Sequence, residues 1–237
     1  MKLPFTALLS LALASSLFAQ DNAEEKPAVG YIQLINGIAL ESPTFIQFGA
    51  LKMMGGKAMP PGSVSGMLGM YAGPYDFEVT NEACDPPTLS GTVELENGKT
   101  FAQIFYVETE TNDDGETTHQ LRATTLKKQH EHTEPKLSLV SLSQEPLIQV
   151  EVGSQAHLLN ARNATEVAVE LDQELAVKQN GETLDVIGIA TPAHYIAFFY
   201  DRADGKGQEM VYVFNKQIVY EPLRKRKDDE ESKDSED

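Results

Sequence analysis

Three short stretches carry side chains at spacings that chemistry could use. His130-Glu131-His132 places two imidazoles on one face of an extended segment, and Glu134 or His119 would be the next ligands of a metal site. A solvated polar linker accounts for those residue types more simply, and it is the reading adopted, so no metal is expected. Asp113-Asp114-Gly115-Glu116, and Asp201 with Asp204, collect carboxylate oxygens. Neither has the ordered six to eight oxygens of a calcium loop, and both read as hairpin turns. GSVSG at 62–66 offers Ser63 and Ser65, but Val64 takes the central place that a Gly-x-Ser-x-Gly elbow gives to its nucleophile. Nothing in the sequence brings His157 or His194 to either serine. Paired carboxylates are common here only because the chain is acidic, so they do not indicate glycosidase chemistry. Tyr71, Tyr75, Tyr106, Tyr195, Tyr200, Tyr212 and Tyr220 could stack on sugars, although packing in a core and along strand edges suits most of them. No catalytic residue and no cofactor is assigned, and the chain is not expected to be an enzyme.

The chemistry is sparse, and the charge narrows the partners. Residues 1–19 have the form of an export signal: Lys2, then an apolar run to Phe18, then a cleavage point after Ala19. The run is short and interrupted for a span of about 20 apolar residues, so no membrane span is expected once it is removed. Losing Lys2 takes the formal charge from −17 to −18. Such a surface repels nucleic acid and anionic lipid. The expected location is periplasmic or secreted. Cys84, in NEACDPP, is the only cysteine, so stability must come from packing rather than from an internal disulfide.

The elements that would carry any site are strands. GYIQLING, TFIQFGAL and GPYDFEVT are successive candidates, the last alternating Tyr75, Phe77 and Val79 with Asp76 and Glu78. Asn97-Gly98 between TVEL and TFAQIFYV predicts a hairpin. MMGGKAMPPGS, at 53–63, predicts a mobile loop. KKQHEHTEP, at 127–135, marks a boundary, after which the order restarts: KLSLVSLS answers GYIQLING, and PLIQVEVGS answers TFIQFG. TEVAVELD alternates as GPYDFEVT does, and YIAFFYD answers FAQIFYV. Only Ala156–Ala164 has a modest helical pattern. The expectation is all-β: two tandem immunoglobulin-like antiparallel β-sandwich modules, at 29–128 and 136–222, followed by a disordered charged tail at 223–237. Phe77, Val79, Phe101, Ile104 and Phe105 are the expected first core; Val169, Leu171, Ile196, Phe198 and Phe199 are the second.

AGPYDFEV, the turn ENGKTF and the strand FAQIFYV together resemble the exported β-sandwich modules of the AlgF-like alginate O-acetylation accessory proteins. The resemblance covers roughly residues 30–222. It implies a non-catalytic periplasmic protein that assists acetylation of a secreted polysaccharide by binding partner enzymes, and it carries over no catalytic residues. The glycine-proline loop at 53–63 and the acidic tail depart from that pattern.

The functional expectation is therefore an adaptor in the cell envelope, whose rigid sheets present loops to a partner such as a polysaccharide acetyltransferase, with polysaccharide itself as a further candidate. Met53, Lys57, Pro60 and Pro61 in the first loop, and Asn81 and Asp85 in 81–88, are the expected binding residues. The alternative is a carbohydrate-binding or surface-structural β-sandwich protein without an enzyme partner.

Overall fold

The computed structural model describes residues 28–128, 134–202 and 206–215. The proposed signal, the charged tail, His130, His132 and Asp204 lie outside the described residues. Among the described residues, sixteen strands fold as two β-sandwich modules. In the first, β4 (Leu68–Tyr71), β1 (Val29–Asn36), β7 (Thr100–Thr111) and β8 (Thr117–Lys128) form one sheet in that order. β3 (Leu51–Lys52), β2 (Thr44–Phe48), β5 (Gly73–Asn81) and β6 (Thr88–Leu95) form the other.

The second module repeats this plan strand for strand. Its first sheet runs β12 (Ala164–Val167), β9 (Lys136–Ser141), β15 (His194–Asp201), β16 (Gln208–Asn215). Its second runs β11 (Gln155–Asn160), β10 (Leu147–Val152), β13 (Gln173–Gln179), β14 (Glu182–Ile189). Adding eight to each strand number of the first module gives the second. The ladders are antiparallel except for one pair per module, β1 with β7 and β9 with β15, which run parallel. The parallel pairs arise because the chain crosses to the second sheet twice: its first return, as β4 or β12, is antiparallel, and only its second, as β7 or β15, runs in the original direction.

Alternation explains how the layers close. On β5, Phe77 and Val79 point inward while Asp76 and Glu78 face solvent, as a half-buried strand requires. β7 and β15 instead are buried on both faces over most of their length. Their side chains therefore serve two interiors. Phe101 and Phe105 fill the first module's core, and Tyr195, Ala197 and Phe199 fill the second's. The intervening Ala102, Ile104 and Tyr106 meet Ile196, Phe198 and Tyr200, together with Ile35, Val140, Leu142, Val211 and Val213, in a third core between the modules. The result is four stacked sheets. The two inner ones press their outer faces together.

Several expectations need correcting. Ile104, Ile196 and Phe198 belong to this shared interior rather than to either module's own core, because a two-residue period sends neighbouring side chains to opposite faces. Leu171 is 45% exposed and Val169 only partly buried, since TEVAVELD stops being a strand at Val167. That segment is the counterpart of β4, and QELAVKQ on β13 is the counterpart of β5. Ala156–Ala164 spans β11 and the start of β12, not a helix, because its apolar residues are used in ladder pairing with β10. Asn97-Gly98 does not close a hairpin: β6 and β7 lie in different sheets. The turn arches between sheets and clasps the start of β1, where Asn97 Oδ1 accepts from Val29 N–H (3.1 Å) and Gly98 N–H donates to Val29 O (2.7 Å). Gly98 supplies the φ of +68° that this needs.

Candidate functional site

The 53–63 loop begins as a tight 3-10 turn, Met53–Gly56, in which Met54, Gly55 and Gly56 have positive φ. Its second half is anchored rather than loose. Met59 is buried, its carbonyl accepts from the Asn36 amide (2.7 Å), and Gly62 N–H donates to Asn36 O (2.7 Å). Gly62 abuts the second module: a Cβ there would stand 2.5 Å from the Tyr200 hydroxyl, so glycine is required for this approach as well as for its φ of +69°. The expected mobile loop is in this respect part of the junction.

Turn geometry leaves apolar side chains on the outer face of the first module. Phe45 and Met54 are 43% and 58% exposed, whereas Leu51, 44% exposed at the sheet edge, pairs with inward-facing Phe48 and so points to the opposite face from Phe45. Beside Phe45 a groove of about 200 Å³ runs between β2 and the 3-10 turn, lined by Phe45, Ile46, Lys52, Met53, Lys57 and Glu78. Met53 and Lys57 thus share one surface. Pro60 and Pro61 are exposed but do not line it. Asn81 is fully buried, and its side chain is engaged within the fold: it donates to Ser42 O (2.9 Å) and Thr44 Oγ1 (3.0 Å) and accepts from Ala83 N–H (3.0 Å). Asp85 is exposed on a different flank, where its N–H donates to His119 O (2.8 Å). Met53 and Lys57 are therefore brought together, and Asn81 and Asp85 are not brought to them.

Reactive groups are placed in quiet surroundings. Ser65 Oγ accepts from Leu34 N–H (2.9 Å) and donates to Gly66 O (2.8 Å), and neither His157 nor His194 adjoins it. Cys84 is buried in the first core, and burial pushes its thiol up to about 11, so it is protonated at neutral pH and a poor nucleophile. His119 bonds Thr109 Oγ1 through Nδ1 (2.8 Å). Asn112 orders the Asp113-Asp114 hairpin tip, accepting from the N–H groups of Asp114 and Glu116. Among the described residues no group of three or more His, Cys, Asp or Glu is placed to hold a metal.

Sequence reasoning missed two constellations, because strand pairing assembles them across long separations. Ser138 Oγ and His194 Nε2 lie 2.8 Å apart, brought together by the parallel β9–β15 ladder. Both are buried at the linker end of the shared interior, and neither lines the clefts described here. On β8 in the first module, Lys128 is only 2% exposed, its ammonium donates to Gln33 Oε1, and burial lowers its pKa from 10.5 to about 7.

The opposite end of the junction opens as a cleft of about 300 Å³ between the ends of β7 and β15. Residues of both modules wall it. Asp201 is held by Ser143 Oγ–H (2.5 Å), Gln208 Nε2–H (2.8 Å) and Gln144 N–H (2.9 Å). Gln208 is itself tied to Gln179. Nearby, Glu108 of β7 joins Arg122 (2.7 Å) and, across the junction, Arg162. With its amide oriented to suit its neighbours, Gln144 pairs with the Thr109 backbone, again across the junction.

No family model matches this chain, and no curated protein matches it.

Proposed function

We propose that the chain is a non-catalytic exported adaptor that docks a cell-envelope protein on the outer face of its first module, in the service of polysaccharide modification of the alginate O-acetylation type. The observation that carries this reading is the exposed Phe45 beside a groove lined by Met53, Lys52 and Lys57, with exposed Met54 in the adjoining turn. An apolar centre with a charged rim is the composition of a binding surface. Its two lysines stand out on a chain of net charge −17, which favours an acidic partner surface there. The sheet beneath is stiffened by its own core, so the patch is held in place before binding. The setting of polysaccharide acetylation rests on the sequence resemblance, and the location in the periplasm or beyond rests on residues 1–19.

The test is recovery of a defined partner from the native host. Tagged full-length protein should co-purify an acetyltransferase component, and Met54→Asp with Phe45→Asp should abolish that recovery while leaving the circular dichroism spectrum intact. Equal recovery by the doubly substituted protein, or no acetyltransferase component with the wild type, would defeat the proposal.

A further inference from the structure

The inter-module cleft has a composition unlike the apolar patch, and it leads to a different ligand. We propose that this cleft is a binding site for a short neutral saccharide, or another hydroxyl-rich ligand of that size, gripped by both modules at once. Ligand sites concentrate at junctions between folded units, and about 300 Å³ is at the lower bound of volumes that hold small ligands. The walls alternate two kinds of surface. Ala39, Leu40, Val107 and Leu142 supply apolar patches suited to the C–H faces of a sugar ring, while Glu145 and Asp201 supply carboxylate acceptors for hydroxyls.

Two details argue for a built site rather than a gap. Asp201 is fixed by three donors, two on its Oδ1 and one on its Oδ2, so a preoriented oxygen keeps capacity for a further hydrogen bond. Tyr106 is only 7% exposed, yet its hydroxyl bonds to no described residue and borders the cleft, whereas the hydroxyl of Tyr200, its counterpart in the repeat, donates to Glu209 (3.0 Å). A nearly buried phenol with an unused donor is ready for a ligand oxygen. Glu145 and Asp201 outnumber Arg202, the one Lys or Arg among the lining residues, and together with the net charge of −17 they disfavour uronate-type sugars. The site stands apart from the docking patch, so either can fail without the other.

The experiment uses isotope-labelled full-length protein titrated by NMR with cellotriose, mannotriose, chitotriose and, as the anionic comparison, trigalacturonate. At least one neutral trisaccharide should shift Gly37, Leu40, Thr109 and Gly207 saturably, with a Kd below about 10 mM. Tyr106→Phe, which breaks no internal hydrogen bond, should weaken that binding about threefold to tenfold, the worth of one neutral hydrogen bond. Tyr71→Phe, on an exposed residue outside the cleft, should leave it unchanged. The proposal is overturned if no neutral probe saturates, if Tyr106→Phe binds equally well, if the shifts map elsewhere, or if trigalacturonate binds as tightly.

Discussion

Replacing Lys128 by methionine tests the physics of the junction at one atom. The lysine stem is enclosed, and the ammonium has an amide oxygen, not a carboxylate, as its hydrogen-bond partner. Burial lowers its pKa from 10.5 to about 7, and the full shift corresponds to roughly 5 kcal/mol. Because the folded value is depressed, the unfolded chain binds more protons between pH 7 and 10.5. Stability must therefore rise with pH across that window, and the penalty is constant below it. At pH 7 the cost of the buried amine is about 4 kcal/mol, and at pH 10 about 1 kcal/mol. Methionine keeps the apolar stem and removes the amine, but leaves Gln33 Oε1 without its donor, a loss of about 1–3 kcal/mol that does not depend on pH. Lys128→Met should thus be the more stable protein at pH 7, by about 2 kcal/mol, and should lose that advantage by pH 10. Urea unfolding of both proteins by far-UV circular dichroism measures this, and Cys84 and the tyrosines titrate alike in both and cancel. A stability difference that stays constant from pH 7 to pH 10 would refute the reasoning.

Other perturbations probe other layers. Phe198→Ala empties the centre of the shared interior and should cost about 3–5 kcal/mol in denaturant unfolding, far more than a surface substitution. Gly91→Ala would put a Cβ 2.6 Å from the Phe77 ring, and should cost about 1–3 kcal/mol by the same measurement. Cys84 should react with a thiol reagent at pH 8 far more slowly in the native protein than in urea, and equal rates would contradict its burial. Its raised pKa also contributes stability that is whole below pH 9 and declines as pH rises through about 11, so Cys84→Ala should flatten the alkaline limb of the stability profile.

The repeat was legible because it is written in periodicity. KLSLVSLS and GYIQLING do occupy equivalent strands, as do YIAFFYD and FAQIFYV, and the parallel ladder of each module joins one of each, GYIQLING with FAQIFYV and KLSLVSLS with YIAFFYD. What alternation does not encode is the sheet to which a strand belongs. Asn97-Gly98 has the local chemistry of a hairpin, yet the two flanking strands find partners elsewhere, because the pairing with β1 and β5 outweighs a turn preference. The doubly apolar runs showed that β7 and β15 are central, while leaving open what covers their second face. The answer lies about 90 residues away, in the other module. Candidate binding residues fared unevenly for a similar reason. Asn81 has the polarity of a loop contact, but its amide completes a turn, and only coordinates distinguish those uses. The cleft lined by Tyr106 and Asp201 is assembled from six separate stretches, and no spacing could announce it.

Residual dipolar couplings measured on the full-length protein address the shared interior most directly. Stacking of the inner sheets through Ile104, Ile196 and Phe198 predicts that amide couplings from β1–β8 and β9–β16 fit a single alignment tensor. Two tensors of different magnitude, one for each set of strands, would mean that the modules tumble separately and that neither the junction nor its cleft exists as described.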